Sequence, residues 1–155
     1  MSFVVTGLSP EPFAPLFDLD EAALAALGVI RMTVDNKPGF PCRITLEDAE
    51  PGETVLLLNH QHLDVDTPYR ARHAIFVREG ATATARVENG LPPALESRLL
   101  AIRAYDAAGM MIDAEIVEGA EAGPLIERFL DNPKAAYLHA HNARRGCFAA
   151  RIDRG

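Results

Sequence analysis

A chain of 155 residues, 48% hydrophobic and 24% charged, has the length of one domain able to bury its own core, and its composition excludes disordered, collagenous and coiled-coil architectures. Its 22 acidic residues against 15 basic ones leave a formal charge of −7, which repels a phosphate backbone and argues against nucleic-acid binding. The apolar run Val55-Leu56-Leu57-Leu58 is far too short for a membrane span, and Met1 to Gly7 lack both a basic n-region and an apolar stretch of signal-peptide length. The expected setting is therefore the cytoplasm, away from membranes, with Cys42 and Cys147 reduced. In an oxidising setting the same two cysteines become a candidate disulfide.

In chain order, Phe3 to Thr6 reads as a first strand. Ser9 is placed to cap a helical turn through Pro10, Pro12 and Phe13 to Phe17, since prolines are tolerated where the N–H groups are orphans anyway. Asp20 caps a second helical piece, Glu21 to Leu27, stopped by Gly28. Val29 to Val34 and Cys42 to Leu46 alternate as strands on either side of an irregular Pro/Gly loop. Thr54 to about His62 is the strongest strand, its Leu run predicting burial on both faces at the N-terminal end. Strands follow at His73 to Arg78 and Thr82 to Val87, before a break at Asn89-Gly90-Leu91-Pro92-Pro93. Leu99 to Tyr105 and Met110 to Val117 flank the turn Asp106-Ala107-Ala108-Gly109 as a hairpin. Pro124, with Leu125, Ile126, Phe129 and Leu130 at helical spacing, predicts the clearest helix, ended by Asn132-Pro133. A closing hairpin joins Ala135 to His141 with Cys147 to Asp153.

Strands outnumber helices and arrive in runs. The expected architecture is α+β: a single globular domain over residues 1–155, with a mainly antiparallel sheet and a few short helices packed on it. Neither a Gly-x-Gly-x-x-Gly turn nor a phosphate-cradling Gly-rich loop is present.

Three stretches together carry a family likeness: Lys37-Pro38-Gly39-Phe40-Pro41-Cys42-Arg43 leading to Leu46-Glu47-Asp48-Ala49-Glu50-Pro51-Gly52-Glu53; Pro68-Tyr69-Arg70 with His73-Ala74-Ile75-Phe76-Val77-Arg78-Glu79; and His139-Ala140-His141-Asn142-Ala143 with Gly146-Cys147. The chain resembles a family of small uncharacterised bacterial proteins, a domain of unknown function, over nearly its whole length. The resemblance implies a compact single domain from a bacterial cytoplasm and no particular chemistry.

Chemistry is sought instead in the histidines. Four of the chain's five form two His-x-His pairs, His60 with His62 and His139 with His141. On a strand, residues i and i+2 share a face roughly 6–7 Å apart, so two such pairs can supply four imidazoles to one divalent transition metal. His73, at a strand start, is a further candidate, and Asp64 and Asp66 lie close enough in sequence to offer a carboxylate. The competing reading is a half-exposed strand in which Tyr137, His139 and His141 face water and Ala136, Leu138 and Ala140 face inward.

Asn142-Ala143-Arg144-Arg145-Gly146-Cys147 is a turn whose guanidiniums can grip a small anionic ligand, or simply a solvated hairpin tip. Pro41-Cys42-Arg43 and Gly146-Cys147 each place a thiol beside a cation and a strained loop, and Cys147 is placed to meet His139 or His141 across the closing hairpin. Free cysteines more often serve as small buried hydrophobes. Glu47, Asp48, Glu50 and Glu53 sit in turn-like surroundings that explain them as caps, and none of Ser2, Ser9 and Ser97 lies in Gly-x-Ser-x-Gly.

Three functional readings follow. The first is a small-molecule- or metal-binding protein, with His60, His62, His139 and His141 as metal ligands and Arg43, His73, Asn142, Arg144, Arg145 and Cys147 around a bound anion. The second is a thiol-dependent enzyme or redox sensor using Cys42 or Cys147. The third is a non-catalytic module that forms a homodimer or binds a protein through an open sheet edge or an apolar patch.

Overall fold

The computed structural model describes residues 2–155, and within them nine strands form two sheets. The larger sheet has the order β5 (Arg86–Glu88), β1 (Phe3–Thr6), β9 (Phe148–Arg154), β8 (Tyr137–Asn142), β6 (Leu99–Tyr105), β7 (Met111–Glu118). The smaller has β3 (Thr54–Leu63) between β2 (Ile30–Thr33) and β4 (Ala71–Arg78). Every strand pairing is antiparallel. The helices are short: α1 (Ala14–Phe17), α2 (Glu21–Ala26), α3 (Pro93–Glu96) and α4 (Ala122–Asp131). The mainly antiparallel architecture with few helices is the one that runs of alternating residues predict. None of the helices is long and apolar enough to cross a membrane.

Local chemistry explains most element ends. The Asp20 carboxylate accepts the Ala23 N–H at 2.8 Å and so starts α2, and Gly28 takes the positive φ that ends it. The stripe Leu125, Ile126, Phe129 and Leu130 buries α4 against Leu100, Ile102, Leu138, Ala140 and Ile152 of the large sheet. Leu56, Leu58, Ile75 and Val77 of the small sheet form a second core with Phe13, Leu24, Val29, Cys42 and Ile44. Val55, on the opposite face of β3, packs with Val34 and Ala49. Both faces of β3 are therefore covered, as its leucine run requires.

Three expected elements change. Ser9 does not cap α1: its Oγ receives only the Glu11 N–H, while the Phe13 and Ala14 N–H groups both close on the Pro10 carbonyl, so the helix starts at Ala14. Cys42 to Leu46 is a turn rather than a strand. Its sulfur accepts the N–H groups of Ile44 and Thr45 at 3.4 Å each, the Leu46 N–H returns to the Cys42 carbonyl, and Leu46 takes a φ of 56°. The strand expected over residues 82–87 shrinks to β5, and the proline pair after it opens α3, where Pro93 needs no N–H partner.

One ion pair fastens the turn region to α3. The Arg98 guanidinium donates to Asp48 Oδ1 at 2.6 Å and Oδ2 at 2.9 Å, and also to the Ala94 carbonyl.

Candidate functional site

Alternation along β6 and β8 sends Leu100, Ile102, Leu138 and Ala140 toward α4, and His139 and His141 to the other side of the sheet. There the end of β3 meets them. The His62 ring lies 5.0 Å from that of His141 and 6.0 Å from that of His139, while His139 and His141 are 6.2 Å apart. Phe148 stacks on His62 at 5.2 Å and stands edge-on to the other two imidazoles. Tyr105 and Tyr137 close the far side, their rings 5.2 and 5.3 Å from His139.

Two remote stretches thus supply three imidazoles to one buried cluster. His139 and His141 are only 3% and 1% exposed, which corrects the reading of β8 as a half-exposed strand. The reason is tertiary: the end of the small sheet and the Phe148 ring cover the face that a free strand would show to water.

The nitrogens of this cluster are underused. Both ring nitrogens of His62, Nδ1 of His73, Nδ1 of His139 and Nε2 of His141 are buried without a hydrogen-bond partner. Buried polar atoms are nearly always paired, and each orphan costs on the order of 1–3 kcal/mol. His141 Nδ1 lies 2.9 Å from the Gly146 carbonyl, which can only accept. The proton therefore sits on Nδ1, and Nε2 presents a bare lone pair.

The same burial keeps the rings neutral. It pushes His139 down to about 2, with help from His141, His62, Arg151 and Arg103. His141 falls to about 3 through burial, opposed by its bond to Gly146, and His62 falls to about 4 through burial and the neighbouring His60 and His73.

His60 does not join the three. It sits edge-on to Phe13 at 5.8 Å, where burial and then the Arg72 charge lower its pKa. His73 is its cross-strand partner and approaches the Gly146 turn. As the side chains stand, no three His, Cys, Asp or Glu residues among the described ones converge as metal ligands. The carboxylates expected nearby are elsewhere, with Asp64 and Asp66 exposed and paired to Arg70 at 3.4 and 3.0 Å.

Arginines divide sharply. Arg144 and Arg145 are exposed at the hairpin tip and make no hydrogen bond or ion pair among the described residues. Arg43 is buried, 2% exposed, and spends its guanidinium on the Phe148 carbonyl at 2.8 Å, the Pro41 carbonyl at 2.7 Å and the Cys147 sulfur at 3.0 Å. Burial lowers its pKa, and the Cys147 sulfur opposes that shift. Asn142 also donates to the Cys147 sulfur, at 3.5 Å, and its Oδ1 is left without a partner. The partners of that thiol are thus Arg43 and Asn142 rather than a histidine, and Cys42 and Cys147 are both free and buried.

The guanidinium beside the histidines is Arg103, the ladder partner of His139, whose charge depresses all three imidazoles. Its signal in the sequence is its place among alternating residues: Arg103 and Tyr105 alternate with the apolar Leu100, Ile102 and Ala104 and so fall on the opposite face of β6.

Residues 39–154 match the family model described as Protein of unknown function (DUF1203). The chain belongs to this family. The matched DUF1203 segment contains Arg43, His62, His73, Arg103, His139, His141 and Cys147, whereas β1, α1, α2 and β2 precede it. No curated protein and no solved structure matches the chain.

Proposed function

We propose that this DUF1203 protein binds a divalent transition metal through His62, His139 and His141. The observation that carries the reading is the state of His141: its Nδ1 proton is committed to the Gly146 carbonyl, and its Nε2 lone pair is buried and unused among imidazoles whose nitrogens are likewise unpaired. That is the outer-shell arrangement which fixes the tautomer of a metal-ligating histidine. Two imidazoles on one tetrahedral ion have ring centres about 5 Å apart, close to the 5.0–6.2 Å separations here.

As they stand the rings do not converge as ligands, so ligation requires them to reorient about their broad ring torsions. Neutral imidazoles suit nickel, copper, zinc or iron, and a three-histidine set leaves a coordination position open. Arg103 beside the cluster favours a small anion, or hydroxide, in that position.

The test is elemental analysis of protein purified without an affinity tag or a nickel column, followed by cobalt, nickel, copper and zinc titration of chelator-treated protein. About one metal per chain is expected, lost in His62→Ala and His141→Ala and retained in His60→Ala. Metal-free protein whose melting temperature none of the four ions moves would remove the reading, as would equal loss in His60→Ala.

A further inference from the structure

On the other side of His60 an open groove of about 430 Å3 runs between the helical segment and β3, a volume within the range of small-molecule sites. Phe13, Leu16, Val29 and Leu58 form its floor, and Leu27 stands at the rim, 62% exposed. Phe13, Val29 and Leu58 belong to the buried core, so the floor is held in shape without a ligand.

Arg72 closes one end. Its Nε donates to Asn59 Oδ1 at 2.5 Å and its Nη1 to Gln61 Oε1 at 3.3 Å. Neutral amide oxygens orient the fork without cancelling its charge. Arg31, Arg70, Arg78, Arg86, Arg98 and Arg151 each meet a carboxylate, but no carboxylate among the described residues lies within ion-pair distance of Arg72. An apolar floor beside an oriented, uncompensated guanidinium complements a ligand with an apolar body and one planar anionic head. The formal charge of −7 disfavours a multiply charged anion.

We infer that this groove binds a small apolar monocarboxylate, its hydrocarbon or aromatic body on the Phe13–Leu58 floor and its carboxylate on Arg72. The groove touches none of His62, His139 and His141, so the carboxylate binds whether or not metal is present.

Octanoate is the probe, followed through the methyl resonances of Leu16, Leu27 and Leu58 and the ring of Phe13, with acetate, octan-1-ol and octylammonium as comparisons. Octanoate should shift these resonances saturably, with acetate and octylammonium far weaker. Arg72→Gln should weaken octanoate about fivefold, the scale of one solvent-exposed ion pair, and leave octan-1-ol unchanged. Arg72→Lys, which keeps the charge but loses the planar fork, should bind octanoate more weakly than the parent and more tightly than Arg72→Gln, and Leu27→Asp should weaken both octanoate and octan-1-ol. The site is overturned if octanoate shifts nothing or shifts resonances elsewhere. Octylammonium binding as tightly as octanoate, or unchanged octanoate affinity in Arg72→Gln, overturns it equally.

Discussion

An imidazole kept neutral by burial makes the folded state sensitive to acid, because unfolding lets the ring take a proton that folding denies it. His62, His139 and His141 lie at about 4, 2 and 3 in the folded protein against 6.5 unfolded. The folded state therefore binds fewer protons than the unfolded state between those values, and stability falls as pH drops through that interval. Each histidine contributes a slope of about 1.4 kcal/mol per pH unit once the unfolded ring is charged. Denaturant midpoints of the metal-free protein, measured in chelator from pH 7.5 to 4.5, are expected to be flat above about pH 6.5 and to fall below it. In His139→Gln the decline should be shallower. An unchanged slope in that variant would mean that the ring is accessible to protons in the folded state.

Elements are held together by a few long-range polar contacts, and Asp48 makes the most exacting of them. It is 7% exposed, receives two N–H groups from Arg98 and one from Gly39, and ties the turn region to α3. Removing one partner of a buried pair leaves the other charge uncompensated. Asp48→Asn should cost about 3 kcal/mol, or roughly 8 °C in Tm for a domain of this size, measured by thermal unfolding at pH 7. Arg98→Met combined with Asp48→Leu should recover much of that loss, since an apolar pair leaves no orphaned charge. The contact could not be read from local pattern. Asp48 sits among turn residues that explain it as a cap, and its partner is 50 residues away. By contrast the α2 cap, the α4 stripe and the β6–β7 hairpin were legible, because each is decided within one or two turns of its own chain.

As a whole, the molecule ends its large sheet on β7, a strand exposed over most of its length with Ile112 and Ile116 facing solvent. Such an edge invites pairing with another copy. Asp113 and Glu115 oppose it: their carboxylates take the N–H groups of Ala114 and Ile116, at 2.9 and 3.0 Å, and two copies of this strand would set acid against acid. Replacing both Asp113 and Glu115 with Thr is therefore expected to raise self-association above that of the parent in sedimentation velocity at neutral pH. Equal sedimentation of parent and variant would show that the carboxylates do not guard the edge.

The candidate site divides along the same line between near and far. Which residues alternate, where α2 and α4 begin and end, and that the chain makes antiparallel sheets are consequences of side-chain period and backbone chemistry acting over a few residues, so the sequence by itself determined them. It also marked the histidines as two same-face pairs. Only the packing of the small sheet against the large one decided that His62 meets His139 and His141, that His60 turns to Phe13 instead, and that Arg103 stands where Arg144 and Arg145 were expected. The buried Arg43, whose guanidinium reaches a carbonyl 105 residues away, belongs with these. Such contacts join segments that chain connectivity leaves free, and their geometry follows from how two apolar faces close over one another.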